Sequence, residues 1–395
     1  MPADRHTGPP KRALLYDPRL RSLVAQVLLC AAIGLLGWIV FNNVVDNLAR
    51  NHLTSGFGFL WNTAGFDISQ TLIDYSVSAS TNARAFWVGL LNTLLVSAIG
   101  IVIATVVGFI VGIGELSPNW LVAKLSKGYV GITRNVPLLL HLLFWYNAVL
   151  KALPDFRDSL KLPGGAFLNS RGLILPKPSF EGYPDFIFWG FLLGIALFFL
   201  LRTAARKQLE RSGKTIPVVL PSIAFTIAFM IIGAHAGHVQ VDWAYPELGR
   251  FNVRGGAEIL PEFVALLIAL SLYTAAFIAE VVRAGLLSVS KGQTEAAAAI
   301  GLRPRQILQL VIIPQATRVI LPPLTNQYLN LTKNSTLAVA IGYPDFVQVF
   351  SGTVLNVTGQ AIEVVTITLA VYLFISLVTS VAMNIYQVRT RLVTR

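Results

Sequence analysis

Residues 85–114 read AFWVGLLNTLLVSAIGIVIATVVGFIVGIG, thirty side chains without one charge. About 20 mostly apolar residues, rising about 1.5 Å each, cross a bilayer as a helix. This stretch is therefore a membrane span, and the solvent for much of the chain is lipid. Working outward, further charge-free runs lie at 22–45, 135–150, 186–201, 215–241, 263–279 and 364–388, and 319–344 is interrupted only by Lys333. The runs at 135–150 and 186–201 are short. Each needs a flanking residue or two, with Arg134, Lys151 or Arg202 snorkelling to the interface. The fold expected is an all-α membrane protein with eight transmembrane helices.

Composition agrees. Of 395 residues, 54% are hydrophobic and 13% charged, about half the charged share of a soluble domain. No soluble stretch is long enough to be a domain, which excludes a soluble enzyme on a small anchor. The sole cysteine, Cys30, excludes an intrachain disulfide framework and a thiolate metal cluster. Residues 22–45 follow a basic leader, as in a signal peptide. They are too long for a signal h-region of roughly 7–15 residues, so the helix is expected to be retained.

The formal charge of +12 is mostly a topology signal, not a nucleic-acid signal. Eight spans put both termini on one side, and Arg5, Lys11, Arg12, Arg19 and Arg21 place that side in the cytoplasm. Segments on the inner face then carry 21 Lys and Arg, those on the outer face 9, with Lys333 in the membrane. The weak spot is the outer loop 151–185, with five. The clusters at 202–214 and 389–395 read as topology first and anionic-lipid contact second.

Some chemistry is missing. His235 and His238 share a helical face with no third ligand nearby, so a solvated pair outweighs a metal site. Ser212-Gly213-Lys214-Thr215 resembles the end of a phosphate-binding loop, but position 208 is Gln where that loop needs Gly. No ATPase is expected in this chain.

The segment 281–318 is too patterned for a tether. Thr294 is expected to cap a short alanine-rich helix, Gly301 to take the left-handed position that stops it, and Pro304 to open a second short helix. From residues alone, this elbow is either a docking surface, its alanines permitting close backbone approach, or an ordinary amphipathic surface helix.

The other patterned stretch is 322–336. Pro322 and Pro323 leave two carbonyls without helical donors, so the span is expected to break there, which is tolerated where backbone lines a cavity. Asn326, Lys333, Asn334, Ser335 and Thr336 follow. A membrane-buried Lys costs about 2.5–3.5 kcal/mol or more unless paired, so Lys333 is either functional or a structural pair or snorkel. Glu280 is the only carboxylate inside a span, near its inner end.

Glu295-Ala296-Ala297, Gly301 and Val311-Ile312-Ile313-Pro314 together resemble the EAA signature of ABC importer permeases, with Val311 and Ile313 as mild departures. Tyr273-Thr274, Glu280 to Gly285, Lys291-Gly292-Gln293, Pro314-Gln315-Ala316 and Leu321 to Asn326 are similar to the polar amino-acid uptake branch. So is Arg134-Asn135-Val136-Pro137-Leu138-Leu139, which resembles the entry to a core helix. These cover spans two, three and six to eight, the five-helix core of that branch. The additional spans and Lys333-Asn334-Ser335-Thr336 resemble the long permeases of general L-amino acid uptake systems of Gram-negative bacteria.

The resemblance implies an inner-membrane subunit that carries L-amino acids of broad specificity and has no cofactor of its own. It would pair with a second, homologous permease, two copies of a cytoplasmic ABC ATPase that binds the ATP, and a periplasmic amino-acid-binding protein. The coupling elbow would present Glu295, Ala296, Ala297, Gly301, Arg303 and Pro304 to the ATPase. The substrate pathway would be lined by Asn135, Glu280, Asn326, Lys333, Asn334, Ser335 and Thr336. The division expected is a cytoplasmic tail 1–21, an additional helix 22–45, a periplasmic loop 46–84, a permease domain 85–388 with inserted helices at about 186–201 and 215–241 and a cytoplasmic coupling segment 288–310, and a tail 389–395. The competing class, an ion-coupled secondary amino-acid transporter, would need inverted repeats and paired broken helices. Only one such break is legible.

Overall fold

The computed structural model describes residues 18–50, 56–212, 217–249 and 253–390. Its helices are α1 (Pro18–Arg50), α2 (Asn82–Gly114), α3 (Trp120–Asn135), α4 (Leu138–Leu143, continued as π-helix Phe144–Leu150), α5 (Asp185–Ser212), α6 (Val219–Ala236), α7 (Pro261–Leu287), α8 (Lys291–Ala299), α9 (Pro304–Ile307), α10 (Ile313–Asn334), α11 (Leu355–Thr358) and α12 (Ala361–Thr390). Among the described residues, seven helical stretches are long and apolar enough to cross a membrane: Ser22–Val40, Asn82–Gly114, Asp185–Ala205, Val219–Ala236, Pro261–Leu287, Pro304–Ile341 and Ala361–Val388. The run at 135–150 forms a shorter apolar helix, Leu138–Leu150. Its start has a local cause. Val136 precedes Pro137 and is extended, with φ −103° and ψ 131°, as a residue before proline prefers. Thus α3 ends and α4 begins inside the motif at 134–139. The expected tails 1–21 and 389–395 lie largely outside the described residues.

The centre of the bundle is α7 laid against α2. Along α2, Gly100, Ala104, Gly108 and Gly112 recur every four residues, all buried. This is the small-residue stripe that lets membrane helices approach closely. A Cβ on Gly112 would stand 2.6 Å from the Ala279 carbonyl oxygen. Helix α10 packs on both α7 and α2, around buried Ala316, Ile320, Leu324 and Leu331. A second core of Phe59, Val88, Phe346 and Phe350 caps the bundle near residues 56–81. It is fixed where Thr93 accepts from the Phe346 amide at 2.9 Å and Asn92 donates to the Pro344 carbonyl at 2.9 Å.

Helices α5 and α6 form a hairpin in which Gly190, Gly194 and Gly233 allow the two backbones to touch. The segments flanking it, expected as plain loops, carry short strands: β1 (Leu160–Leu162), β2 (Ala166–Asn169), β3 (Gly172–Leu175), β4 (Lys177–Glu181), β5 (Gln240–Ala244), β6 (Glu247–Leu248), β7 (Val253–Arg254) and β8 (Ala257–Ile259). They pair antiparallel as β1-β2-β3-β8, β4-β5 and β6-β7. The β4–β5 pairing, from Lys177↔Ala244 to Glu181↔Gln240, extends the α5–α6 hairpin.

The expected break at Pro322-Pro323 is not there. Helix α10 runs through both prolines, which sit on its exposed side. Proline removes a donor and fixes φ near a helical value, so an exposed face tolerates the pair. The departure comes later: Ser335–Ile341 tightens to a 3₁₀ helix and ends at Gly342, φ 76°.

Candidate functional site

Halfway along α7 the protein surface opens into a cavity of about 270 Å³, lined by Tyr273, Thr274 and Phe277 from α7 and Gln327, Asn330 and Asn334 from α10. Thr274 is thirteen residues from either end of α7, or about 20 Å. The cavity therefore sits near mid-membrane depth. Its lining is uncharged, with amide and hydroxyl groups facing two aromatic rings 5.0 Å apart. Polar groups at this depth face a cavity or another helix, not lipid. Asn326, Asn330 and Lys333 are exposed and lie at helical spacing on one face of α10.

The structure sorts the expected pathway residues. Asn334 lines the cavity. Asn326 and Lys333 share the exposed flank, and Lys333 makes no ion pair with a described residue. Ser335 is buried and donates to the Thr332 carbonyl at 2.8 Å, while Thr336 donates to the Lys333 carbonyl at 2.8 Å. Both hydroxyls serve the 3₁₀ turn, not the cavity. Asn135 is exposed and donates back to the Gly131 carbonyl at 2.6 Å.

Glu280 is not in that lining and sits in an ion cluster nearer the C-terminal end of α7. Arg283 holds it at 2.5 Å, Arg134 stands 3.5 Å away, and Arg283 also reaches Glu115 at 3.4 Å. Glu115, at the end of α2, is buried and its pKa is pushed up, chiefly by burial and then by the Glu280 charge. The cavity-lining residues left off the expected pathway are Tyr273, Thr274, Phe277, Gln327 and Asn330. A signal was available: 273, 277 and 280 fall at i, i+4 and i+7, one face of a helix.

The elbow has the expected stop but an earlier start. Helix α8 begins at Lys291, with Ser290 as its N-cap, so Thr294 lies inside it. At its end Gly301 adopts φ 84°. Its amide donates to the Ala298 carbonyl at 2.9 Å and the Leu302 amide to the Ala297 carbonyl at 3.2 Å, the two bonds of a Schellman stop. The Arg303 amide then donates to Gln306 at 2.9 Å, and Pro304 opens α9. That helix is not short, for it continues into the membrane as Pro304–Ile341. Glu295, Ala296, Gly301, Arg303 and Pro304 are exposed, whereas Ala297 is buried. Ile300 projects 78% exposed at the corner.

The helix Pro304–Ile341 joins this mid-depth polar cavity to the exposed elbow, and comparison with known proteins shows the family. Residues 100–392 match the family described as binding-protein-dependent transport system inner membrane component. The chain belongs to this family. As an ABC importer permease it has full-length relatives. It is 46% identical over 390 residues to the general L-amino acid transport system permease protein AapQ of Rhizobium johnstonii, covering 98% of this chain and 97% of the relative. It is 48% identical over 386 residues to the putative amino-acid ABC transporter permease protein YhdX of Escherichia coli, covering 96% of each. It is 41% identical to the glutamate/glutamine/aspartate/asparagine transport system permease protein BztB of Rhodobacter capsulatus, covering 96% of this chain and 97% of the relative. In a permease of this family the matched region takes in α7, the elbow and the whole cavity.

Proposed function

We propose that this permease is the transmembrane subunit of an ATP-driven, binding-protein-dependent importer of L-amino acids with broad specificity. It has no ATPase of its own and lies in a bacterial inner membrane with both termini in the cytoplasm. The observation that carries this reading is the uncharged cavity at mid-depth, half-walled by α7 and α10 and open on one side. A second, homologous permease would supply the other wall. The amides of Gln327, Asn330 and Asn334 offer both donors and acceptors, which suits a zwitterion whose side chain varies. The lack of a carboxylate in the lining disfavours strict selection of cationic side chains.

The exposed Glu295, Ala296, Arg303 and Pro304, with the corner at Gly301, would dock on two copies of an ABC ATPase, which bind the ATP. A periplasmic amino-acid-binding protein would deliver substrate from the opposite face. The permease domain in this reading is 85–388, with α5 and α6 inserted in it. The bias of 21 basic residues against 9 supports this orientation.

The test is uptake of radiolabelled L-amino acids into proteoliposomes holding the assembled complex. Uptake should require ATP on the elbow side and the binding protein on the other. Uptake driven by an ion gradient without ATP would instead favour the secondary-transporter class.

A further inference from the structure

Arg134 ends α3 beside the α7 span and is only loosely engaged. Its nearest acid, Glu280, is seven residues from the inner end of α7, or about 10 Å inside it. A cation set against a membrane-spanning helix is expected to face a cavity or a partner. Its geometry leaves it available. Glu280 is already held by Arg283, with Nη2 at 2.5 Å and Nε at 3.4 Å, while Arg134 contributes one contact at 3.5 Å. The Arg134 side chain is 40% exposed. Its guanidinium stands 5.2 Å from the centre of the Phe277 ring, and that ring lines the cavity. Position supports the charge as well, since Arg134 is in the last turn of α3, where the helix dipole favours a cation.

We propose that Arg134 is the carboxylate receptor at the inner end of the cavity, taking the α-carboxylate of the amino acid in place of its single long contact to Glu280. This rests on the amino-acid reading above. A guanidinium presents its donors as a planar fork that matches a carboxylate in two bonds, and the present contact to Glu280 uses one. Glu280 stays paired through Arg283, so the exchange strands no charge. Glu280 is then a competitor for Arg134 and not a wall of the pathway. Tyr273 and Phe277 stack beside the bound backbone of the substrate, leaving the amides of Gln327, Asn330 and Asn334 to the ammonium and the side chain.

The experiment measures direct binding of L-glutamine and of its α-amide, L-glutaminamide, to the purified assembled complex without the binding protein. The wild type should bind glutamine at least about tenfold more tightly than the amide, the range expected for a charge-assisted pair. Arg134→Gln should bring glutamine down to the level of the amide, and Arg134→Lys should restore part of the difference. Glu280→Gln should tighten glutamine binding and leave the amide unchanged, a response that a purely structural role would not give. Assembly is checked by size-exclusion chromatography, and Arg134→Lys carries the test if Arg134→Gln does not assemble. Wild-type discrimination that survives in the Arg134 variants would overturn the proposal, as would a wild type that binds neither compound or both alike. Uptake with the binding protein present separates the two readings. Its absence in wild type sinks the amino-acid reading, whereas its presence alongside an indifferent Arg134 sinks only the receptor.

Discussion

Gly108 on α2 approaches Ile278 on α7 so closely that a Cβ at position 108 would stand 2.6 Å from the Ile278 Cβ. Neither helix can retreat without opening the core that sets the depth of Tyr273 and Phe277. Gly108→Ala should therefore destabilise the subunit by about 1–3 kcal/mol through overpacking. Gly131→Ala is the matched control, since nothing lies within 4 Å of a Cβ there, and it should be neutral or stabilising by up to about 1 kcal/mol. Thermal unfolding of both variants in detergent checks this.

At Gly301 the constraint is conformational. A Cβ there meets nothing within 4 Å, but φ is 84°, a region that β-branched residues avoid. Gly301→Val should reach the membrane in normal amount yet lose ATPase-coupled uptake, whereas Gly301→Asn, which tolerates left-handed geometry, should keep most of it. Normal uptake by the valine variant at normal expression would remove the elbow from coupling.

Topology can be read with cysteines. With Cys30 replaced, single cysteines at Ser170, beside β2, and at Ser212, at the end of α5, should label from opposite faces of intact membranes, with 170 outside. Labelling from one face would mean that Leu138–Leu150 or the α5 span does not cross.

Asn334→Asp would put a carboxylate into an uncharged lining. The ranking of substrates that stimulate ATP hydrolysis in the reconstituted complex should shift towards arginine and lysine and away from glutamate. An unchanged ranking at full activity would take position 334 out of the site.

Asp345 lies between the spans, fully buried, with its pKa raised to about 7 by burial. One oxygen accepts from the Gln348 amide at 2.8 Å and the other has no partner. The folded state thus prefers the protonated acid. Its contribution to stability is complete below the ordinary pKa of 3.8 and is lost as pH rises to about 7, at no more than about 1.4 kcal/mol per pH unit. Asp345→Asn should cancel that slope, so that the variant gains on wild type between pH 5 and pH 8 in a melting series. A constant difference across that range would mean that the acid is ionised in the folded protein.

Much of this architecture is legible in the sequence because lipid imposes a simple rule. The run at 85–114 could be only a span, and the glycine at 301 could only stop a helix. Where local geometry competes with composition, the reading fails in identifiable ways. Pro322 and Pro323 suggested a break, yet both sit on an exposed helical face where a lost donor matters little. Within the charge-free run at 135–150, Pro137 makes Val136 extended, so the apolar helix there is the shorter Leu138–Leu150. Gly164 and Gly165, with φ of 83° and 79°, carry a hairpin signal between β1 and β2 that a count of polar residues passes over. The pairing of Glu280 with Arg283 three residues on is one that helical spacing permits but does not require.

The central claim, that substrate passes through the cavity between α7 and α10, is tested most directly by filling it. Asn330→Trp places a bulky ring in a space of about 270 Å³ without touching the elbow. In proteoliposomes holding the whole complex, ATP-dependent uptake of radiolabelled L-glutamine should fall at least about tenfold, roughly 1.4 kcal/mol in the barrier, while assembly and basal ATP hydrolysis persist. Uptake at the wild-type rate with the ring in place would contradict it.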